Sequence, residues 1–200
     1  MDYDIENFRH AASFLRDHPA WIELRSVIEG IDAPAVEALQ FGYAADGKRV
    51  PRGGQSAMNK LFELALPSAR GWVHQPRLFS DPLLREWKMD FLKERVGVEV
   101  SFNHAEAIPW QFTRLNIAGE SERIRADSSI DVGIVITASE SLKRWSRMDS
   151  AVGTFDAFQA WLREMKPILP IPIMLVGLRA DRWRPTSAFG GTRSGNRASD

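Results

Sequence analysis

From Arg95 to Phe102 the chain alternates without a break, with Val96, Val98, Val100 and Phe102 on one side and Arg95, Gly97, Glu99 and Ser101 on the other. A period of two marks an extended strand with one apolar face, because successive side chains leave opposite faces of a pleated backbone. The same alternation aims Glu99 and Ser101 in one direction. Asp90 lies in a second short extended run, and Lys93-Glu94 reads as the turn that folds the two runs into an antiparallel pair. Two carboxylates on neighbouring strands can then converge on one hard cation.

Such a pair has a definite use. Mg2+ prefers oxygen ligands, keeps several waters and is usually held by one or two carboxylates plus a substrate phosphate. A metal so placed acidifies a bound water, orients it for in-line attack and stabilises charge on the leaving 3′ oxygen of a DNA strand. By spacing alone, however, an acid on each of two neighbouring strands is more often an ordinary half-solvated hairpin.

Around this hairpin the sequence predicts one α/β domain. Residues 4–16 read as an amphipathic helix with Ile5, Phe8, Ala12 and Leu15 at helical spacing, and a second helix runs from about Pro19 to Glu29, its proline suited to a first turn. Residues 32–54 show little periodicity and contain Gly42, Asp46-Gly47, Pro51 and Gly53-Gly54, which predicts a long loop of functional interest. Ser56 is placed to cap a third helix carrying Met58, Leu61, Phe62, Ala65 and Leu66, and Gly71-Trp72-Val73 leads into the first strand region. After the two motif strands come a crossing helix over residues 107–121, a buried strand over 130–137, a short segment at Trp145, a helix over 155–165 and a strand over 171–178. This order suits a mixed central β-sheet flanked by helices, in a single domain over residues 1–184. Residues 185–200 are rich in Gly, Ser, Arg and Asn and predict a disordered tail.

Composition narrows the classes. The 200 residues suffice for one sizeable core and are too few for two ordinary ones. The absence of cysteine removes disulfides and thiolate zinc sites, and His10, His18, His74 and His104 lack metal-ligand spacing. The acidic N-terminus has no apolar signal core, and no apolar run approaches the ~20 residues of a spanning helix, so a cytoplasmic protein is expected. A formal net charge of zero argues against indiscriminate coating of nucleic acid, although basic residues can still gather in one cleft. Lys48, Arg49 and Arg52 form one basic stretch, and Arg179, Arg182, Arg184, Arg193 and Arg197 another; each reads equally well as a phosphate contact or as solvated surface.

Four blocks of sequence carry a resemblance. They are residues 18–33, beginning His18-Pro19-Ala20-Trp21; residues 90–102, with nine residues from Asp90 to Glu99; Ile130-Asp131-Val132-Gly133-Ile134-Val135-Ile136-Thr137; and Ile171-Pro172-Ile173-Met174-Leu175-Val176-Gly177-Leu178. In this order they resemble the BglII and BstYI family of type II restriction endonucleases, which belong to the wider PD-(D/E)xK nuclease fold. The resemblance implies that Asp90 and Glu99 bind catalytic Mg2+ and that Ser101 occupies a position where the family has a polar glutamine and the wider fold often a lysine. Ser101 is therefore a departure, since it brings a shorter side chain and no charge.

Either a water bridges that gap or another residue compensates. Lys88, two positions before Asp90 and so on its face if the strand is regular, is one substitute, although an exposed strand-end lysine is the more common reading. Gln75 aligns approximately with a polar residue that neighbours the catalytic acid in the family, and equally with an ordinary loop glutamine. The resemblance places DNA reading in the loop after the catalytic strand and in a later loop, here Asn103-His104 and residues 148–151 with Asp149 and Ser150. These side chains suit base edges in the major groove. Asn103 also reads as a turn former, and Asp149-Ser150 as a helix cap. Arg114, on the crossing helix, reads as a phosphate contact or, more commonly, as an exposed helix arginine.

The family's palindromic targets, which contain a GATC core, imply a homodimer on double-stranded DNA and a cognate methyltransferase guarding the host. Trp110, Phe112, Leu115 and Ile117 could face such a partner, though an apolar helix stripe is more often core. The competing reading is a sequence-specific DNA-binding protein of the same fold whose cleavage is weakened by Ser101. Retention of both acids argues against it. A hydrolase acting on another substrate leaves the flanking blocks unused.

Overall fold

The computed structural model describes residues 1–45, 47, 50–51 and 53–189. Among these residues six strands form one sheet in the order β1-β6-β5-β4-β3-β2. They are β1 (Asp2–Phe8), β2 (Val73–His74), β3 (Phe91–Lys93), β4 (Val96–Ser101), β5 (Val132–Ala138) and β6 (Ile173–Arg179). The central three, β4, β5 and β6, run parallel, while β1, β3 and β2 are antiparallel additions at the edges. Parallel neighbours need helical crossovers on the sheet faces, and those helices bury both faces. The continuous apolar runs of β5 and β6 follow from that burial.

One face packs Val96, Val98 and Val100 of β4, with Ile134, Ile136 and Val176, against α1 (Ala11–Leu15), α2 (Pro19–Gly30) and α4 (Gln55–Ala65). The other packs Val135, Ile173 and Leu175 against α5 (Ile108–Glu120) and α7 (Phe155–Glu164). Two further helices, α3 (Ala33–Ala45) and α6 (Glu140–Trp145), complete the layers. Gly133 of β5 lets α5 approach closely, since a Cβ there would lie 2.8 Å from Leu115 Cδ1. That close approach brings α5 onto the acidic side of β4.

Four expectations are corrected. Residues 4–16 are not one helix: β1 pairs with β6 through Phe8, Arg9 and His10 turn at positive φ (48° and 60°), and only Ala11–Leu15 is helical. The alternation of Tyr3 and Ile5 with Asp2, Asp4 and Glu6 suits a sheet edge, and the unpaired edge of β6 decides between two locally admissible periods. Residues 32–54 are not one loop, because α3 occupies 33–45, with the Ala35 N–H donating to Asp32 Oδ1 at 2.9 Å and with Val36 and Gln40 buried. The hairpin turn falls at Glu94-Arg95, one residue later than expected, because Lys93 already pairs with Val96. The tail cannot begin at 185: Ala188 and Phe189 are buried, and Phe189 meets Trp145 edge-on with ring centroids 5.1 Å apart. Residues 190–200 lie outside the described residues.

Among the described residues no helix is long and apolar enough to cross a membrane.

Candidate active site

The hairpin register explains the nine-residue step between the two acids. Phe91 pairs with Val98, Leu92 with Gly97 and Lys93 with Val96, so one more step places Asp90 opposite Glu99. Directly opposed residues share a face of the sheet. Asp90 Oδ2 accepts the Val100 N–H at 2.8 Å, which anchors its carboxylate beside β4. Glu99 is fully buried, and its partner comes from the helical layer above. Arg114 of α5 donates from Nε to Glu99 Oε1 at 2.9 Å and from Nη2 to Oε2 at 2.8 Å, and Nη2 also donates to Gln111 Oε1. Arg114 is thus neither an exposed helix arginine nor, in this state, free for a phosphate.

Burial dominates the electrostatics. It pushes the Glu99 carboxyl up to about 8, against the pull of Arg114 and with a further upward push from Asp90. Asp90 also rises, again through burial, with the Val100 N–H and Arg114 opposing. Two adjacent acids that both resist ionisation are stabilised by any cation that can reach them. Both donors are hard oxygens, which suits Mg2+ or a similar divalent ion. Among the described residues no group of three or more His, Asp or Glu side chains could hold a metal. The pair is still the usual protein contribution when phosphate and water complete the shell.

Asp90 opens into a cleft of about 400 Å3 between α4 and α5. Asn59 and Glu63 line it from α4, His74 and Gln75 from the end of β2, and Gln111 and Arg114 from α5. Gln75 continues the β2–β3 pairing, its N–H donating to the Asp90 carbonyl at 2.9 Å with φ at 47°. Gln75 therefore sits beside Asp90 at the cleft. Ser101 is buried on the Glu99 side of β4, paired in register with Thr137 of β5. Lys88 forms an isolated bridge with Arg77 and does not line the cleft. Its expected orientation required a regular strand, but Met89 packs into the same layer as Leu92, so the alternation fails before Asp90.

The two expected reading loops lie side by side. His104 bridges Val152, the Ala105 N–H donates to the Ala151 carbonyl at 2.8 Å, and the Gly153 N–H donates to the Asn103 carbonyl at 3.0 Å. Asn103 also lines the cleft, so the loop pair adjoins the acids. Asn103, His104, Asp149 and Ser150 are all exposed. Asp149 is not a helix cap: its Oδ1 accepts the Ala151 N–H at 2.8 Å within its own loop, and Thr154 stands at the start of α7.

The basic stretches contribute less. Arg179 pairs with Asp4 and Asp181, and Arg182 with Asp2, so the acidic N-terminus answers this charge. Lys48, Arg49, Arg52, Arg193 and Arg197 lie outside the described residues. The α5 stripe divides, Phe112 and Leu115 being core while Trp110 is 58% exposed.

A family model described as restriction endonuclease BglII/BglIII matches residues 3–178. The chain belongs to that family. Family membership makes it a type II site-specific deoxyribonuclease. Among solved structures it is similar to restriction endonuclease BglII complexed with a DNA 16-mer, with 18% identity, TM-score 0.67, and 90% of this chain and 78% of that one covered. It is similar also to free BglII, with 19% identity, TM-score 0.59 and coverages of 90% and 81%. At these identities the likeness establishes the restriction-endonuclease fold. A search of the curated proteins gives no match.

Sequence reading missed Asn59, Glu63, His74 and Gln111 as cleft residues. Gln111 carried a faint signal, three residues before Arg114 and hence on its helical face. The others meet Asp90 only through the packing of α4 and β2 around the hairpin.

Proposed function

We propose that this endonuclease hydrolyses one phosphodiester in each strand of a short palindromic duplex site, using Mg2+ held by Asp90 and Glu99. The observation that carries the reading is the opposition of these two acids at the cleft, one buried beneath Arg114 and the other open to substrate. Asp90 and Glu99 fix the position at which a phosphate oxygen enters. Ser101, on the same face as Glu99, offers a hydroxyl to the water shell. A bound divalent cation supplies an acidified water and neutralises charge at phosphorus. The water oxygen bonds to phosphorus as the bond to the 3′ oxygen breaks, and a proton ends on that oxygen, leaving a 5′-phosphate and a 3′-hydroxyl.

Asn103, His104, Asp149 and Ser150 read base edges from the paired loops. Asn suits adenine, His a guanine acceptor and Asp the cytosine amino group, a set compatible with a GATC core. Symmetric reading of a palindrome calls for a homodimer with one centre per strand, and a cognate methyltransferase protects the DNA of the host cytoplasm. Incubation of the purified protein with phage DNA tests the whole. Discrete fragments that require Mg2+ and vanish with chelator are expected, and end sequencing reads the site. A smear, or intact DNA at every divalent ion tried, would remove the site-specific Mg2+ reading.

A further inference from the structure

Arg114 stands between Glu99 and the cleft. Its guanidinium lines the cleft and is 25% exposed, whereas the Glu99 side chain beneath it has no exposed surface. Nε and Nη2 are both engaged by Glu99, while Nη1 makes no hydrogen bond among the described residues. Ser101, on the Glu99 face of the same strand, carries no charge, and Lys88 lies off the cleft.

We propose that Arg114 is a catalytic residue with two positions. Without DNA it takes the place of the metal on Glu99; in the loaded complex it yields Glu99 to the metal and turns onto the scissile phosphate. There it supplies the positive charge that Ser101 lacks. The inference rests on the metal-dependent reading above.

Four physical points support it. A metal ion cannot reach Glu99 while the guanidinium covers both carboxylate oxygens, so an exchange is built into the geometry. The planar fork that fits a carboxylate fits a phosphate equally well, so Arg114 stays paired before and after. Simple loss of either charge's partner would be costly in a buried site, and the exchange avoids it. Finally, α5 is anchored through fully buried Phe112 and Leu115, so the side chain can swing while its base stays fixed. During hydrolysis Arg114 keeps all its protons and acts on the phosphate as a fixed charge.

The test uses the full chain as wild type, Arg114→Met, Arg114→Lys and Glu99→Gln, with Mn2+ affinity of the DNA-free protein followed by spin resonance and cleavage followed in single turnover. Wild type should bind Mn2+ weakly, because the ion must displace Arg114 from Glu99, and should cut, and Glu99→Gln should do neither; if wild type does not cut, or Glu99→Gln binds Mn2+ as wild type does, the metal reading itself falls. With those controls sound, Arg114→Met should bind Mn2+ at least about threefold tighter, having lost the competing cation, yet cut about 100-fold more slowly. Unchanged or weaker Mn2+ binding, or cleavage within about tenfold of wild type, overturns the two-position role. If Arg114→Met does not fold, Arg114→Lys decides: it cannot hold both oxygens, so tighter Mn2+ binding with cleavage within about tenfold is expected, and wild-type Mn2+ affinity overturns the proposal. Adding Ser101→Lys to Arg114→Met should recover at least about tenfold in rate, and no recovery refutes the role of Arg114 as the cation of this site.

Discussion

The two faces of β4 carry opposite kinds of information. On one, Val96, Val98 and Val100 enter a continuous apolar core with α1, α2 and α4, where any side chain of matching volume would serve. On the other, Glu99 and Ser101 are as completely buried, yet they are polar, and Glu99 lies under an arginine from α5. Equal burial thus has unequal causes. The first face is dry because apolar surface leaves water. The second is dry because a tertiary ion pair seals it, and burial there raises the acids rather than stabilising the fold.

The largest expected effect breaks the second face alone. Glu99→Gln or Asp90→Asn should reduce cleavage at least about a thousandfold, since each removes a proposed metal ligand, while circular dichroism shows the fold retained; the unfolding midpoint falls for Glu99→Gln, which leaves Arg114 without its buried partner. Normal cleavage by either variant would end the metal assignment. Val98→Ala should do the reverse: about 2–3 kcal/mol of stability is lost from deleted methyls and the cavity left behind, with cleavage per folded molecule unchanged. Urea unfolding together with rates at low temperature checks it, and a parallel fall in rate would show that the faces are coupled.

A smaller, graded effect sharpens the contrast by pH. Burial raises both Glu99 and Asp90, so protons compete with a metal that needs both carboxylates ionised. Affinity for Mg2+ therefore rises with pH and levels off once the raised carboxyl has ionised, near 8 for Glu99. The Mg2+ concentration for half-maximal cleavage should fall as pH rises toward about 8 and change little above it. A flat dependence would mean that the acids are already ionised without metal.

The same contrast governs what the sequence disclosed. The apolar face of β4 was legible because period-two patterning is local, and so were β5 and β6, whose runs of Val, Ile and Leu admit burial on both sides. The hairpin pattern put Asp90 and Glu99 on one face, although a turn at Lys93-Glu94 would set Asp90 opposite Gly97, and only the turn at Glu94-Arg95 sets it opposite Glu99. Their surroundings could not be read, because Arg114, Glu63 and Asn59 reach the cleft from helices whose placement depends on packing, including the glycine at 133. β1 was misread because residues 4–8 satisfy two periods at once, and only the edge of β6 chooses between them. The α3 segment reads as loop because residues 32–54 combine little periodicity with Gly42, Asp46-Gly47, Pro51 and Gly53-Gly54, whereas the Asp32 acceptor and the burial of Val36 and Gln40 exist only in the folded chain.

The smallest effect concerns the turn that sets the register of the acids. Glu94 and Arg95 both adopt positive φ, 46° and 65°, in the two-residue link between β3 and β4. Such links favour Asn-Gly or similar residues, because a side chain with a Cβ is strained in the left-handed region. Arg95 is partly compensated by its ion pair with Asp131, with Nε 2.7 Å from Oδ2. Glu94 makes no side-chain hydrogen bond among those described. Glu94→Gly should therefore raise stability by about 0.5–1 kcal/mol, the relief of strain exceeding the extra freedom of an unfolded glycine. Cleavage should be unchanged, because Asp90 stays opposite Glu99. A urea midpoint that moves down would show that this turn is held by something other than the hairpin it closes.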